Sequence, residues 1–295
     1  MTTDSTTTES TPILVTGGTG KTGRRVTDRL IAAGRAVRVA SRGSVPPFDW
    51  TDRTSWPAAV QDVEVAYLCY APDLSFPGAA DVLADFARTA VRAGVRRAVL
   101  LSGRGEPLAH QAEEAVAATG LDLTVLRASF LAQNFSEDFL VEAVRYGRLS
   151  LPASGRFGEG VVDADDVADA AVAALLADSR HPGIPTAGTS GYRMLELTGP
   201  RLLDFPQMVE ILSHAAGHQV VFDAVTPEAY LAELVAAGVP PDLAERLTEL
   251  FAAIMDGRNA TLTDGVQRLL GRQPRDFADV VAEAAATGVW TAVSA

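Results

Sequence analysis

Between Ile13 and Arg25 the chain reads ILVTGGTGKTGRR, a stretch that carries two phosphate-binding spacings at once. Gly20-Lys21-Thr22 resembles the end of a triphosphate loop, whose chemistry would be phosphoryl transfer. That loop also needs a glycine five residues before Gly20, where Val15 stands inside an apolar run. Gly17, Gly20 and Gly23 fit the second spacing, that of a dinucleotide loop. The first glycine permits a tight turn and the second a close backbone approach to a pyrophosphate. The third lets the following helix lie against its strand. Amides at the helix start would hold the phosphates, with Thr19, Lys21 and Thr22 completing the loop. The spacing therefore predicts a bound dinucleotide and redox chemistry.

A second group of residues bears on which dinucleotide. The second apolar strand ends in VASRGS, with Ser41 and Arg42 and no acid. An acid there would repel a 2'-phosphate, whereas a guanidinium meets one with two hydrogen bonds. Arg42, helped by Lys21, favours NADP and leaves NAD open. Asp49, in PPFDW beside an expected short third strand, is a candidate for the adenine amine or for a helix cap.

Ligands of a parallel sheet lie beyond the carboxyl ends of its strands. Ser102 is placed there to donate a hydroxyl to a substrate carbonyl or imine. Tyr70 and Ala71 end another strand, where Tyr70 would line the cofactor crevice. His110 and Glu114 share a helix face, so His110 is the candidate proton carrier. Arg104, Phe130, Gln133, Asn134 and Phe135 are expected to face the substrate. Asp163 and Asp166 read as caps at a helix start. The four histidines and the lone Cys69 make no metal-site spacing, and Cys69 is expected to be a buried small hydrophobe. No nucleophile elbow of the G-x-S-x-G kind occurs.

The elements that must position these groups alternate. PILVTG, AVRVAS, VEVAYLCY, VRRAVLLSG and DLTVLRASF read as strands separated by helical patterns. The fold class is therefore α/β: a Rossmann-type, doubly wound parallel sheet with a small, mostly helical C-terminal lobe. Residues 1–11 are expected to form a disordered tail and 12–190 the dinucleotide domain. Residues 191–295 form the lobe, whose first strand, 191–197, is able to return to the main sheet. Helices are expected over 203–217, 226–237, 241–256, 262–270 and 275–287, with a short strand near HQVVFDA. The glycine-rich stretch GRLSLPASGRFGEG reads as a lid or as an irregular connection.

Composition narrows the partners. The 295 residues are 47% hydrophobic, with 37 acids against 25 bases. No basic stripe invites nucleic acid, and neither a signal peptide nor a membrane span is legible, so a cytoplasmic address is expected. The partner would be a small aromatic or polycyclic substrate, and the chain a monomer or a homodimer.

ILVTGGTGKTGRR, PPFDWTDRTSW, LLSGRGE, LTVLRASFLAQNFSE, VVDADDVADAA, ELTGP, GRQPRDF and the closing ATGVW resemble the NmrA-like, atypical short-chain dehydrogenase/reductases. They are similar to the branch containing the festuclavine and agroclavine dehydrogenases. The resemblance implies one NAD(P)-binding Rossmann unit with a small substrate lobe. The Tyr-x-x-x-Lys pair of classical relatives is absent, and Glu114 takes the place where several keep lysine. An NADPH-dependent reductase of an electron-poor quinone, enone or cyclic iminium is therefore expected, in secondary metabolism. Two alternatives stand beside it: a tailoring enzyme of aromatic polyketides, acting in hydroxylation or epoxide opening, and a non-catalytic NADP sensor.

Overall fold

Ile13–Thr16, buried at all four positions, forms the central strand β1, and the computed structural model builds outward from it. The structure describes residues 11–177 and 183–291; the expected N-terminal tail, Thr11 excepted, lies outside them. β1 is followed by α1 (Lys21–Ala32), β2 (Val37–Ala40), α2 (Trp56–Val60), β3 (Val65–Leu68) and α3 (Ala79–Ala93). Next come β4 (Arg97–Gly103), α4 (Pro107–Ala117), β5 (Asp122–Ala128), α5 (Asn134–Glu137), α6 (Val141–Arg145) and β6 (Arg148–Leu151). The chain continues through α7 (Ala164–Leu176), β7 (Thr186–Ala187), β8 (Tyr192–Leu197), α8 (Phe205–Ala216) and β9 (Val221–Ala224). It closes with α9 (Pro227–Ala236), α10 (Pro241–Ile254), α11 (Gly265–Leu270) and α12 (Phe277–Ala286).

The main sheet has the order β2-β1-β3-β4-β5-β8-β7 and is parallel except for the edge strand β7. α1 and α7 pack together on one side of it and α3 and α4 on the other, as the alternating sequence requires. Apolar residues on both sheet faces are buried, Leu14 and Leu100 in one cluster, Val15 and Val99 in the other. The chain is thus a predominantly parallel α/β Rossmann-type fold with a smaller helical region at its C-terminal end.

The boundary expected at residue 190 falls between β7 and β8, which pair with each other. A third cluster defines the smaller region, and it combines Phe135, Leu149 and Leu151 with Phe205, Phe251 and Phe277. The smaller region is therefore drawn from two separate stretches of chain. β6 lies parallel to β9 in a two-stranded sheet, and Glu159 bridges to Leu203. These contacts pin the stretch read as a lid: only Ser154, Arg156 and Phe157 within residues 151–160 are exposed.

PPFDW does not form a strand. Pro46 and Pro47 have no N–H to give a ladder. Phe48 N–H instead closes onto the Ser41 carbonyl at 2.9 Å, while Phe48 and Trp50 fill the core.

Candidate functional site

The glycine loop is built almost wholly from backbone. Gly17 turns the chain at the end of β1 with φ of +62°, where L side chains are strained. Gly20 N–H returns to the Gly17 carbonyl at 2.9 Å. A Cβ on Gly23 would stand 2.1 Å from the same carbonyl oxygen, so α1 reaches the loop only because residue 23 is glycine. α1 opens at Gly20 without a side-chain cap. Its first amides are left for an external acceptor, and the helix dipole favours an anion there. Thr19 and Gly20 are exposed, whereas the Thr22 hydroxyl turns inward to the Cys69 sulfur at 3.9 Å. A pyrophosphate fits this cradle.

Around the end of β2, Ser41 anchors its own turn through Ser44, and Arg42 stands exposed. Arg42 makes no hydrogen bond or ion pair among the described residues, and its charge helps lower the Asp49 pKa. Asp49 accepts from Thr51 N–H and hydroxyl, each at 2.8 Å, which shape the turn before the following helix. Ala71 is exposed just past β3. Lys21 is engaged elsewhere: its ammonium bonds Asn134 Oδ1 and Asp138 Oδ2, each at 2.5 Å. Arg25 continues this stitching from α1 to Glu137 and Asp165.

A cavity of about 500 Å³ runs from Gly20, Lys21 and Thr22 past Cys69 and Tyr70 to Ser102 and Gly103. Its apolar wall includes Phe76, Phe130, Leu247, Phe251, Ile254 and Met255. Such a wall suits a flat aromatic ligand. Tyr70 packs on Trp50 at 5.2 Å between ring centroids, and burial raises its pKa. Cys69 is half-buried against the glycine loop, and burial raises its pKa, which keeps it a thiol.

Ser102 is on the cavity wall, but its hydroxyl proton is committed. It donates to Glu113 Oε1 at 2.6 Å. A hydroxyl has one proton, so Ser102 faces the cavity as an acceptor rather than as the expected donor. Glu113, fully buried, also accepts from Arg127 at 2.6 Å and from the Tyr192 hydroxyl at 2.7 Å. This network joins α4, β4, β5 and β8 directly behind the cavity. Arg104, expected to contact substrate, spends its guanidinium on Glu196, the Asn259 and Thr261 carbonyls and the Thr261 hydroxyl. It fastens that segment to the end of β4.

Four acids in the cavity wall went unread in the sequence, and two of them, Glu106 and Glu159, have strongly shifted carboxyls. Glu106 is the N-cap residue of α4, yet its side chain makes no cap hydrogen bond. Its carboxyl lies against Gly103, where a Cβ would come within 2.0 Å of Oε1. Burial, reinforced by Asp73 and Glu113, pushes its pKa up to about 8. Glu159 is buried and its Oε1 has no partner. Burial raises its pKa to about 7, against the opposing pull of Arg104. A glutamate followed by proline at a helix start was the available signal for Glu106. Nothing local marks Glu159.

The other sequence candidates divide between the cavity wall and places away from it. His110 is half-buried outside its lining, with Nε2 unpartnered. Burial and Arg127 lower its pKa, so it is neutral rather than poised near neutrality. Glu114 ties the β7–β8 turn through Thr189 and Ser190. Asn134 and Phe130 line the cavity. Phe135 is fully buried in the second core, and Gln133 bonds Asp163 and the Ala164 amide. Asp163 caps α7 through Asp165 N–H, while buried Asp166 holds Arg272 and the Arg275 amide. Among the described residues no group of acids, histidines and cysteine could hold a metal, and no helix is long and apolar enough to cross a membrane.

No family model matches the chain. It is 34% identical over 294 residues to YesF of Bacillus subtilis, described as an uncharacterized oxidoreductase, covering 95% of this chain and 98% of that one. It is 29% identical over 293 residues to agroclavine dehydrogenase of Claviceps fusiformis, covering 92% and 96%. Among solved structures it superposes with a TM-score of 0.72 on an NADPH-dependent quinone oxidoreductase of Escherichia coli. The identity there is 20%, covering 92% of this chain and 98% of that chain.

Proposed function

This chain belongs to the Rossmann-fold NAD(P)-binding oxidoreductases, and from that premise we propose that it is an NADPH-dependent reductase of electron-poor, flat polycyclic acceptors. Quinones, enones and cyclic iminium ions are the acceptor classes. The carrying observation is the apolar cavity of about 500 Å³ that runs without a break from the glycine loop to the ends of β4 and β5. NmrA-like membership is part of the same reading, supported by the likeness to agroclavine dehydrogenase. The named activity of the Escherichia coli neighbour supports the quinone class.

In this reading Gly17, Thr19, Gly20, Thr22 and Gly23 hold the pyrophosphate, and Arg42 holds the 2'-phosphate. Ser41, Asp49 and Ala71 flank the adenosine side. The bound cofactor supplies hydride. The chain's own residues do the rest: the walls of α10 exclude water and orient the acceptor, while Ser102 and Tyr70 flank the reacting face. The Glu113 network keeps Ser102 fixed, and Lys21 closes the loop onto Asn134 and Asp138.

Steady-state loss of NADPH absorbance over naphthoquinones, enones and cyclic iminium ions tests the proposal. Turnover of at least one class, with NADPH preferred to NADH, is expected. NADPH binding without oxidation over all three would replace the reductase reading with that of a non-catalytic sensor.

A further inference from the structure

Reducing a neutral carbonyl acceptor takes a proton as well as a hydride, and the wall's phenol and the nearby imidazole are weak sources of one. Tyr70 lines the cavity, but burial raises its pKa and weakens it as an acid, while His110 is neutral and off the cavity wall. The Ser102 hydroxyl already donates its hydrogen bond to Glu113. The described residues of the cavity wall include four carboxyl side chains, Asp73, Glu106, Asp138 and Glu159. Asp138 is paired with Lys21, and Asp73 accepts from Ser75 N–H and hydroxyl. Glu159 is buried, at 4% exposure, and its Oε1 is sealed from solvent, whereas Glu106 is only half-buried. Glu106 remains, next to Ser102 and Gly103 where β4 ends.

We propose that Glu106 is the acid that protonates a carbonyl acceptor in this cavity, because its carboxyl rests on Gly103 in the wall and makes no hydrogen bond among the described residues. The assignment rests on the reductase reading above. Gly103 makes the placement: any Cβ there would overlap both carboxyl oxygens, at 2.0 and 2.2 Å. A carboxyl in this position is held protonated by its surroundings. Burial acts first, and the two charged groups that act on it, Asp73 from the loop after β3 and Glu113 from α4, are both acids. The step balances simply. A quinone or enone takes up hydride, which brings two electrons and forms one bond to hydrogen, while the reduced cofactor is oxidised. Charge collects on the acceptor oxygen. The O–H bond of Glu106 breaks as the new O–H bond forms on that oxygen, and the carboxylate regains a proton from water after product leaves. A preformed carbocation needs hydride alone, so Glu106 has no part in its reduction.

The test uses the full chain with NADPH and two acceptors, a naphthoquinone and a triarylmethyl cation. In Glu106→Gln the ratio of quinone to cation turnover should fall by about 100-fold or more, within the range of a lost general acid. Gly103→Ala, which evicts the carboxyl without altering it, should lower the same ratio and serves if Glu106→Gln does not fold. In the parent, quinone turnover should decline above about pH 8 while cation turnover does not. An independent readout comes from cofactor-free protein. The infrared band of a protonated carboxyl, lost as pH passes about 8, should be missing from Glu106→Gln and retained in Glu159→Gln. An unchanged ratio in Glu106→Gln overturns the assignment and leaves the reductase reading standing. So does a parallel loss with both acceptors, a fall in the ratio in Glu159→Gln alone, or a parent that reduces only the cation. A parent that oxidises NADPH over neither acceptor overturns the reductase reading itself.

Discussion

Two helices start at the edge of the same cavity, α1 after Gly20 and α4 after Glu106, and neither has a side-chain cap. At α1 the uncapped turn is preceded by glycines, so nothing blocks an anion from the free amides. At α4 the residue before the helix is an acid, but its carboxyl has swung off the amides onto Gly103. One uncapped start is open to a charge from outside. The other keeps its own acid neutral inside an apolar wall. The lesson is that a missing cap has no single meaning; the residue type beside the helix and the space around it decide whether the site takes up an anion or stores a proton.

The contrast can be broken at several places. The largest effect is expected behind the α4 side, where Glu113→Ala would strand Arg127, Tyr192 and Ser102. Loss of one partner of a buried pair costs about 3–5 kcal/mol, and chemical denaturation should show a loss of that order. A loss under about 1 kcal/mol would mean the network does not hold the wall. On the α1 side, Gly23→Ala drives a Cβ into the Gly17 carbonyl. NADPH affinity, followed by cofactor fluorescence, should drop about 100-fold, since backbone rather than a flexible side chain must move.

Arg42→Ala should weaken NADPH by about 10-fold, roughly one charge-assisted contact, and leave NADH nearly unchanged. Equal weakening of both cofactors would sink the 2'-phosphate assignment. A smaller effect concerns pH and separates the two helix starts directly. The folded chain keeps Glu106 protonated up to about pH 8, while the unfolded chain releases that proton near the ordinary glutamate value. Between those values the unfolded state binds fewer protons, so this group's contribution to stability falls as pH rises. Glu106→Gln removes that loss. Its melting temperature relative to the parent should therefore climb from pH 5 to pH 8, and a flat difference would contradict the protonated acid. Asp49→Ala should change least: it removes only the two exposed turn contacts to Thr51, with a melting shift of only a few degrees.

Much of the fold was legible because its cues are local. Strand and helix alternate in the apolar pattern, and the five C-terminal helices lie within a few residues of their expected ranges. The short strand expected beside PPFDW does not form, and Phe48 and Trp50 are buried as side chains on an irregular backbone. Glu113 and Glu114 show the limit most sharply. A step of one residue turns a helix by about 100°, so Glu113 faces the sheet and Glu114 the β7–β8 turn. Reading Glu114 into the place of a lysine drew attention to the neighbour of the acid that matters for the wall. The partners of Glu113 lie 11, 14 and 79 positions away, and no spacing rule joins them.

The sequence alone determined the glycine loop, because its contacts run between residues three to six apart and glycine is dictated by backbone geometry. It also determined the parallel sheet, through periodicity, and placed a basic residue, Arg42, just after the second strand, where the proposed function needs one. Only the tertiary structure decided which acids face the cavity and which hydroxyls already donate their hydrogen bonds within the protein. Those properties depend on burial and on charges brought together from distant parts of the chain, and burial is set by the packing of every element at once.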